Sequence, residues 1–257
     1  MKDLMKFEFR KLKTQKSFYI ILIIMVAMVL ITTATYKLVE NLSNEIEEMG
    51  NAVGQTIRFS GEGFWLGFAS ASNFVLLTAI FVAINVTYDY DNQIVKNIFA
   101  RGYSRTDFFF AKFVYLIVTT SIMFFAAVAV SGVANAIFFG INGDIGKIVL
   151  LLDVQYLVCM ASVVMCFAIS AIIKRLGGSI AACIIIPIAV SLVLGLVDVI
   201  INVEAFDISD YWLSSFTDKL ADIEIATKDI IIRAVLSVAY GVGFAALGWF
   251  FTDKAEL

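Results

Sequence analysis

The sequence predicts an all-α, polytopic membrane protein with six transmembrane helices. Hydrophobic residues make up 61% of the 257 residues and charged residues only 16%. The mean hydropathy is +0.91, and such values lie far outside the composition of soluble domains. Six apolar runs are each long enough to cross about 30 Å of hydrocarbon as a helix. Proline occurs once, so long helices are expected.

Residues 1–16 precede the first apolar run and are strongly basic. As a helix, this stretch places most of its cations on one face and most of its apolar residues on the other. That pattern predicts an interfacial amphipathic helix resting on anionic lipid. Phe7 falls on the polar side and Glu8 in the apolar arc. Glu8 is therefore expected either to reach water or to pair with a basic group of another segment, because an unpaired buried charge is costly.

The six apolar runs define the predicted spans of a single transmembrane domain covering residues 1–257. Their approximate bounds are 17–38, 64–87, 113–139, 148–173, 179–201 and 230–251. If the N-terminus is cytoplasmic, the cytoplasmic segments hold most of the 19 lysines and arginines. The positive-inside rule therefore predicts that both termini are cytoplasmic.

The segment 88–112 is the most polar long stretch between two spans. Four apolar residues recur on one face of a short helix: Ile94, Val95, Ile98 and Phe99. Gly102 can end that helix, and Ser104 or Thr106 can cap the next one. We expect a helix, a glycine break and a second helix on the membrane surface. The segment is then either an ordinary cytoplasmic loop that obeys the positive-inside rule or a docking element for a cytoplasmic partner.

Polar side chains inside the spans are few, and such groups are expensive in lipid. The candidates for a substrate path are Asn73, Asn135, Asp153 and Asp198. Both aspartates lie near the outer ends of their spans, so a wet interfacial position is the simpler explanation for each. The outer connection 202–229 mixes aromatic and acidic residues. Its composition predicts short amphipathic helices that dip into the outer leaflet with the aromatic side down.

No pattern of catalytic or metal-binding residues is found. The sequence has no histidine, the commonest general base and metal ligand. Its three cysteines lie in apolar runs without a C-x-x-C pair, and G-I-N-G-D-I-G-K at 140–147 fails the phosphate-loop spacing. We expect no catalytic site, metal or cofactor on this chain, and no basic domain indicates a nucleic-acid partner.

Two functional classes remain. One is a permease half that takes its energy from a separate ATPase. The other is an ATPase-independent channel, carrier or membrane interaction protein. Ion-driven carriers usually have acidic residues at mid-membrane or broken helices. The absence of an acid near the middle of any predicted span counts against the second class.

Local motifs favour the first class. They are E-x-x-K-L at 8–12, D-N-Q-I-V-K-N at 91–97, G-Y-S-R at 102–105, and Lys112. With the order of the spans, they resemble permease subunits of type-2 ABC exporters, in particular the small bacterial kind for bacitracin, lantibiotic immunity and related peptides. The family usually shows E-x-x-x-G-T-I-K-N, then G-x-S-R and K. Here Asp91 or Asp89 stands where Glu is usual, and Gln93-Ile94 replaces the Gly-Thr-like pair.

The resemblance implies a bacterial plasma-membrane exporter of a hydrophobic or amphipathic substrate, such as a peptide or antibiotic. Two permease copies, or this chain and a sister permease, would pair in the lipid bilayer. Two copies of a cytoplasmic ABC ATPase would dock below. ATP and Mg²⁺ would be bound by that ATPase and not by this chain.

The resemblance also implies which residues couple the permease to the ATPase. The expected set is Ile94, Lys96, Ile98, Phe99, Arg101, Gly102 and Arg105. Within it, Ile98 and Phe99 would form an apolar plug that enters a groove of the ATPase, and the cations would form its polar rim. The expected set on the interfacial helix is Glu8, Arg10 and Lys11.

Overall fold

The computed structural model describes residues 2–48, 65–67, 72–140, 144–201 and 207–254, and these contain no β-strand. The helices are α1 Lys2–Thr14, α2 Lys16–Glu48, α3 Ser72–Asp91, α4 Ile94–Ala100, α5 Arg105–Phe138, α6 Ile145–Ile173, α7 Leu176–Ile201, α8 Leu213–Lys219 and α9 Thr227–Lys254. A 3-10 helix lies at Ile208–Tyr211, and residues 65–67 are also helical.

The predicted fold class is confirmed. Among the described residues, six helices are long and apolar enough to cross a membrane, namely α2, α3, α5, α6, α7 and α9. The interfacial helix predicted for residues 1–16 is present as α1, and it is separated from α2 by Gln15 alone.

Several helices differ from the bounds of the predicted spans. Helix α2 extends to Glu48, beyond the predicted end at residue 38, and α5 begins at Arg105 and not near residue 113. The Ser104 hydroxyl accepts a hydrogen bond from the Asp107 amide at 3.0 Å, and this cap satisfies one of the free amides at the helix start. The cap lets the helix begin at Arg105, so residues 105–112, which include three charged side chains, form its first two turns.

The bundle has two chemically different ends. At one end, α1 and α4 lie against the start of α5, and the Lys174 ammonium after α6 lies 5.6 Å from the centre of the Tyr90 ring. We call this the basic end. The connections after α5 and α7, including the 3-10 helix and α8, lie at the opposite end.

Helix α6 forms the centre of the bundle. Most of its residues are buried, whereas few residues of α7 and α9 are buried. Exposed apolar residues on a membrane helix face lipid or another membrane protein. The fold therefore presents two mainly apolar helices outward.

The connection 207–226 corrects one expectation. Its apolar side does not point away from the bundle, because Phe216 and Leu220 are fully buried against α6. The side-chain amide of Gln155 on α6 donates to the carbonyl oxygens of Leu66 at 3.0 Å and Leu220 at 3.1 Å. The segment thus covers one end of the protein core. Its apolar side packs on α6 and not on lipid.

Candidate functional site

The segment between α3 and α5 folds as a short helix held between two left-handed residues. Gln93 has a φ of 56° just before α4, and Gly102 has a φ of +86° just after it. The Gly102 amide donates to the carbonyl of Phe99 at 2.9 Å, which closes the helix. The predicted helix, glycine break and second helix are present, and Ser104, not Thr106, caps the second helix.

Helix α4 turns its apolar face toward its own chain. Val95 and Ile98 are buried in a cluster with Leu4 of α1 and with Phe108 and Ala111 of α5. Burying this face satisfies the amphipathic pattern without another protein.

This packing corrects the expectation of an apolar plug. Ile98 is only 8% exposed, so it is not free to enter a groove of another protein. Phe99 is half-buried and packs edge-on against Phe108, with ring centroids 6.0 Å apart. The apolar residues thus seat α4 on its own bundle.

The outward face of α4 is polar. Lys96, Asn97 and Arg101 are exposed there, and Arg105 is half-buried at the start of α5. Next to this face, a groove of about 320 Å³ runs between α1 and α4. Its lining is Asp3, Leu4, Phe7, Ile94, Asn97, Ile98, Arg101 and Tyr103.

A cluster of four charged side chains lies beneath these helices. The Lys112 ammonium of α5 lies 3.2 Å from Glu8 Oε2 of α1 and also contacts Asp89 Oδ2 of α3. Asp89 Oδ1 contacts the Lys11 ammonium of α1. We call Glu8, Lys11, Asp89 and Lys112 the ionic cluster. It joins the three helices α1, α3 and α5 through side chains up to 104 positions apart in sequence.

Polar and aromatic groups surround the ionic cluster. The Tyr115 hydroxyl donates to Gln15 Oε1 at 2.9 Å, and the Lys112 ammonium lies 5.7 Å from the centre of the Tyr115 ring. The Lys11 ammonium lies 5.0 Å from the centre of the Tyr88 ring. These contacts place aromatic faces around both cations, an arrangement that stabilises positive charge.

The charges of the ionic cluster balance, with two ammonium and two carboxylate groups. Glu8, Asp89 and Lys112 are almost completely buried. Burial lowers the pKa of Lys11, and the neighbouring Lys112 charge lowers it further, while Asp89 and Glu8 offset only part of this effect. The cluster is therefore suited to holding the three helices together.

The predicted interfacial residues divide into two groups. Glu8 pairs with a basic group of another segment, Lys112, which is one of the two outcomes expected for it, and Lys11 belongs to the same cluster. Arg10 is exposed. The sequence analysis did not identify Asp89 as a site residue, although it named Asp89 as one of two acids that match the family motif. The structure separates the two, because Asp89 is fully buried and paired whereas Asp91 is exposed.

The four candidates for a substrate path are not brought together as a site. Asn135 is buried, and its amide donates to the Ser131 carbonyl of its own helix at 2.8 Å. The Asp198 carboxylate accepts from the backbone amides of Ile208 at 2.7 Å and Ser209 at 2.9 Å, so it caps the 3-10 helix.

The structure gives no support for a substrate path at the other two candidates, Asp153 and Asn73. Asp153 is exposed, and the side chain of Asn73 lies outside the part of the chain that the structure describes. The expectation of a polar substrate path through these residues is therefore not supported. Asp198 in particular serves the fold, since its two acceptor oxygens are used by backbone amides.

These features define a multi-pass membrane protein with a short helix and an amphipathic helix seated together on one end of its bundle. Residues 4–198 match the family model described as ABC-2 family transporter protein. The chain belongs to this family. It is thus a membrane permease subunit of an ABC transporter, and the family implies an ABC ATPase partner. A comparison with curated proteins finds no match.

Proposed function

We propose that this permease subunit exports a hydrophobic or amphipathic substrate, such as a peptide or antibiotic, across a bacterial plasma membrane. The observation that carries this proposal is the seating of α4. Its apolar side is buried on α1 and α5, and its polar side is exposed beside the groove between α1 and α4. A helix held in this way presents a rigid polar surface to a cytoplasmic ATPase.

The ionic cluster connects α1, which packs against α4, to the transmembrane helices α3 and α5. Lys112 and Asp89 belong to two long helices, and Glu8 ties them to α1. A displacement of α4 by the ATPase therefore moves the starts of α5 and α1 together and not α4 alone. Rigid-body movement of packed helices is a common way to alternate the accessibility of a transport path.

We further propose the assembly that such coupling requires. Two ATPase subunits bind ATP and Mg²⁺, and two permease subunits, identical or sister chains, pair within the bilayer. The exposed apolar surfaces of α7 and α9 support contacts with lipid and with a second permease. This chain contributes the docking surface and the transport path.

The docking surface can be tested with the assembled complex. Arg101→Glu reverses an exposed charge on the outward face of α4. We expect ATPase co-purification to fall by about tenfold, since charge reversal at an interface costs on the order of 1–2 kcal/mol. Lys228→Glu is the matched control, because Lys228 is an exposed cation at the opposite end of the protein. It should leave the complex intact.

A second variant tests the seating of α4 itself. Gly102→Val places a β-branched side chain at a φ of +86°, a region that such residues avoid. We expect normal membrane insertion but reduced substrate-stimulated ATP hydrolysis. Wild-type ATPase yield and efflux in both Arg101→Glu and Gly102→Val would show that α4 is not the docking element. Conductance by the purified chain alone would instead favour the ATPase-independent channel.

A further inference from the structure

A second space in the protein lies far from the basic end. It is a cleft of about 310 Å³ between α3, α6, α7 and α8. Ile188 and Leu192 of α7 line it and are more than half exposed, so the cleft opens sideways from the bundle. Cys183 lies at its buried inner part. The volume falls at the lower end of the range for small-ligand sites.

The hydroxyl and indole groups of the cleft donate their hydrogens within the protein. The Ser191 hydroxyl donates to the Pro187 carbonyl at 3.0 Å, and that carbonyl also accepts from Trp212 Nε1 at 3.3 Å. Ser214 and Ser191 hydroxyl oxygens are 2.6 Å apart, so Ser214 is left to donate to Ser191. Thr217 donates to the Ser214 carbonyl at 2.7 Å. The cleft therefore offers acceptor oxygens and few donors.

One charged side chain completes the lining. Asp218 is the only residue among the described lining residues that carries a charge, and it is exposed at the mouth. Its carboxylate makes no hydrogen bond or ion pair with any residue in the described part of the chain. Asp218 is exposed to solvent on one side, and its partial desolvation by neighbouring residues raises the pKa of its carboxyl, because these neighbours stabilise the negative charge less than water does.

We infer that this cleft binds an amphiphile with an apolar chain and a single primary ammonium group, with Asp218 as the counter-ion. The walls are mostly aliphatic and suit the chain. The free carboxylate and the lone pairs of Ser214 suit a cationic donor. An anionic or phosphate head group would meet no cation in the lining. This assignment deepens the proposed function and rests on it, since it names the chemical class of the substrate.

The binding test uses the full chain without any ATPase, in lipid nanodiscs, so its outcome is independent of ATPase docking. The probe is dodecylamine with a photoreactive diazirine in its chain. Labelled peptides locate the site, and competition with unlabelled dodecylamine or dodecanol measures affinity. We expect labelling on α7 and α8, and we expect dodecylamine to compete about three to ten times better than dodecanol, because a partly exposed ionic hydrogen bond adds a modest preference.

Two variants and one control test whether Asp218 causes the preference for dodecylamine over dodecanol. Asp218→Asn should bring dodecylamine to the affinity of dodecanol, and Asp222→Asn, a nearby exposed acid outside the lining, should leave the preference unchanged. Ile188→Trp should fill the cleft and so reduce labelling by the diazirine probe. Equal competition by the two compounds in the wild type would mean that the cleft holds only an acyl chain, and absence of labelling on α7 and α8 would mean that it is no site.

Discussion

Lys112 shows how a charge is tolerated inside this bundle. Its side chain is 1% exposed, yet it lies between the carboxylates of Glu8 and Asp89. Taking an ammonium out of water costs several kcal/mol, and only close opposite charges offset that cost. The pairing therefore determines where α1 can lie, since moving Glu8 away would leave an excess positive charge in an apolar interior.

The two cations of the cluster are predicted to differ in their contribution to stability. Lys112→Met leaves two buried carboxylates with one cation, so we expect a loss of about 3–5 kcal/mol. Lys11→Met should cost less, because burial and the Lys112 charge already lower the pKa of Lys11 and so disfavour its charged form. Thermal unfolding of the purified protein in detergent measures both effects.

The control for this pair is Lys6→Met, which removes an exposed cation from the same helix α1. It should change the unfolding temperature very little, since exposed charges contribute at most about 1 kcal/mol. A loss for Lys112→Met no larger than that for Lys6→Met would show that the ionic cluster does not hold α1 to the bundle.

The ionic cluster also shows what the sequence alone could predict. Glu8 was expected either to reach water or to pair with a basic group, because its helical position is apolar, and that argument used only local periodicity. The family motif alone did not distinguish Asp89 from Asp91, since both acids follow the same apolar run. A sequence signal does exist, because Asn85 and Asp89 are four residues apart and share one helical face. The pairing across 104 positions, in contrast, depends on tertiary packing.

At the scale of the elements, α6 and α9 lie close together at Gly248. A β-carbon at Gly248 would come within 3.3 Å of the Ala168 backbone and of the Phe109 ring. A close approach of two backbones is the usual use of small residues in membrane helices. Backbone cannot move aside as a side chain can, so the two helices would have to separate.

This contact predicts a difference between two glycines of α9. Gly248→Ala should destabilise the protein by about 1–3 kcal/mol through overpacking. Gly243→Ala is the matched control, because no atom lies within 4 Å of its added β-carbon, and it should be neutral or slightly stabilising through higher helix propensity. Unfolding temperatures of the two variants in the same detergent decide the matter. Equal stability would mean that α6 and α9 are not closely packed at this point.

The helices were more predictable from the sequence than the residues against which each helix packs. Periodicity placed Ile98 on an apolar face, and composition predicted an apolar side for the connection that contains Phe216; both side chains are buried. The sequence could not show that Ile98 packs on α1 and α5, or that Phe216 packs on α6. An amphipathic pattern states that one side is buried but not by what. The corrections for Ile98 and Phe216 have the same cause. In both cases the apolar side packs on the protein's own helices and not on a partner protein or on lipid.

At the scale of the whole molecule, the connections divide between the two ends as the charge pattern requires. The basic segments around Arg101 and Arg175 lie at the basic end, and the segments around Asp144 and Asp222 lie at the opposite end. An excess of lysine and arginine marks the cytoplasmic side of a membrane protein. We therefore predict that the basic end faces the cytoplasm.

Single cysteines test this orientation in intact cells with a charged, membrane-impermeant maleimide. Asp144→Cys and Asp222→Cys should react from outside, whereas Arg101→Cys and Arg175→Cys should react only after the membrane is opened. The native cysteines are a built-in control, because Cys159, Cys166 and Cys183 are all free and buried and should react slowly in either condition. Labelling of Arg101→Cys from outside would invert the topology, and it would place α4 on the side of the membrane where no ATPase can dock.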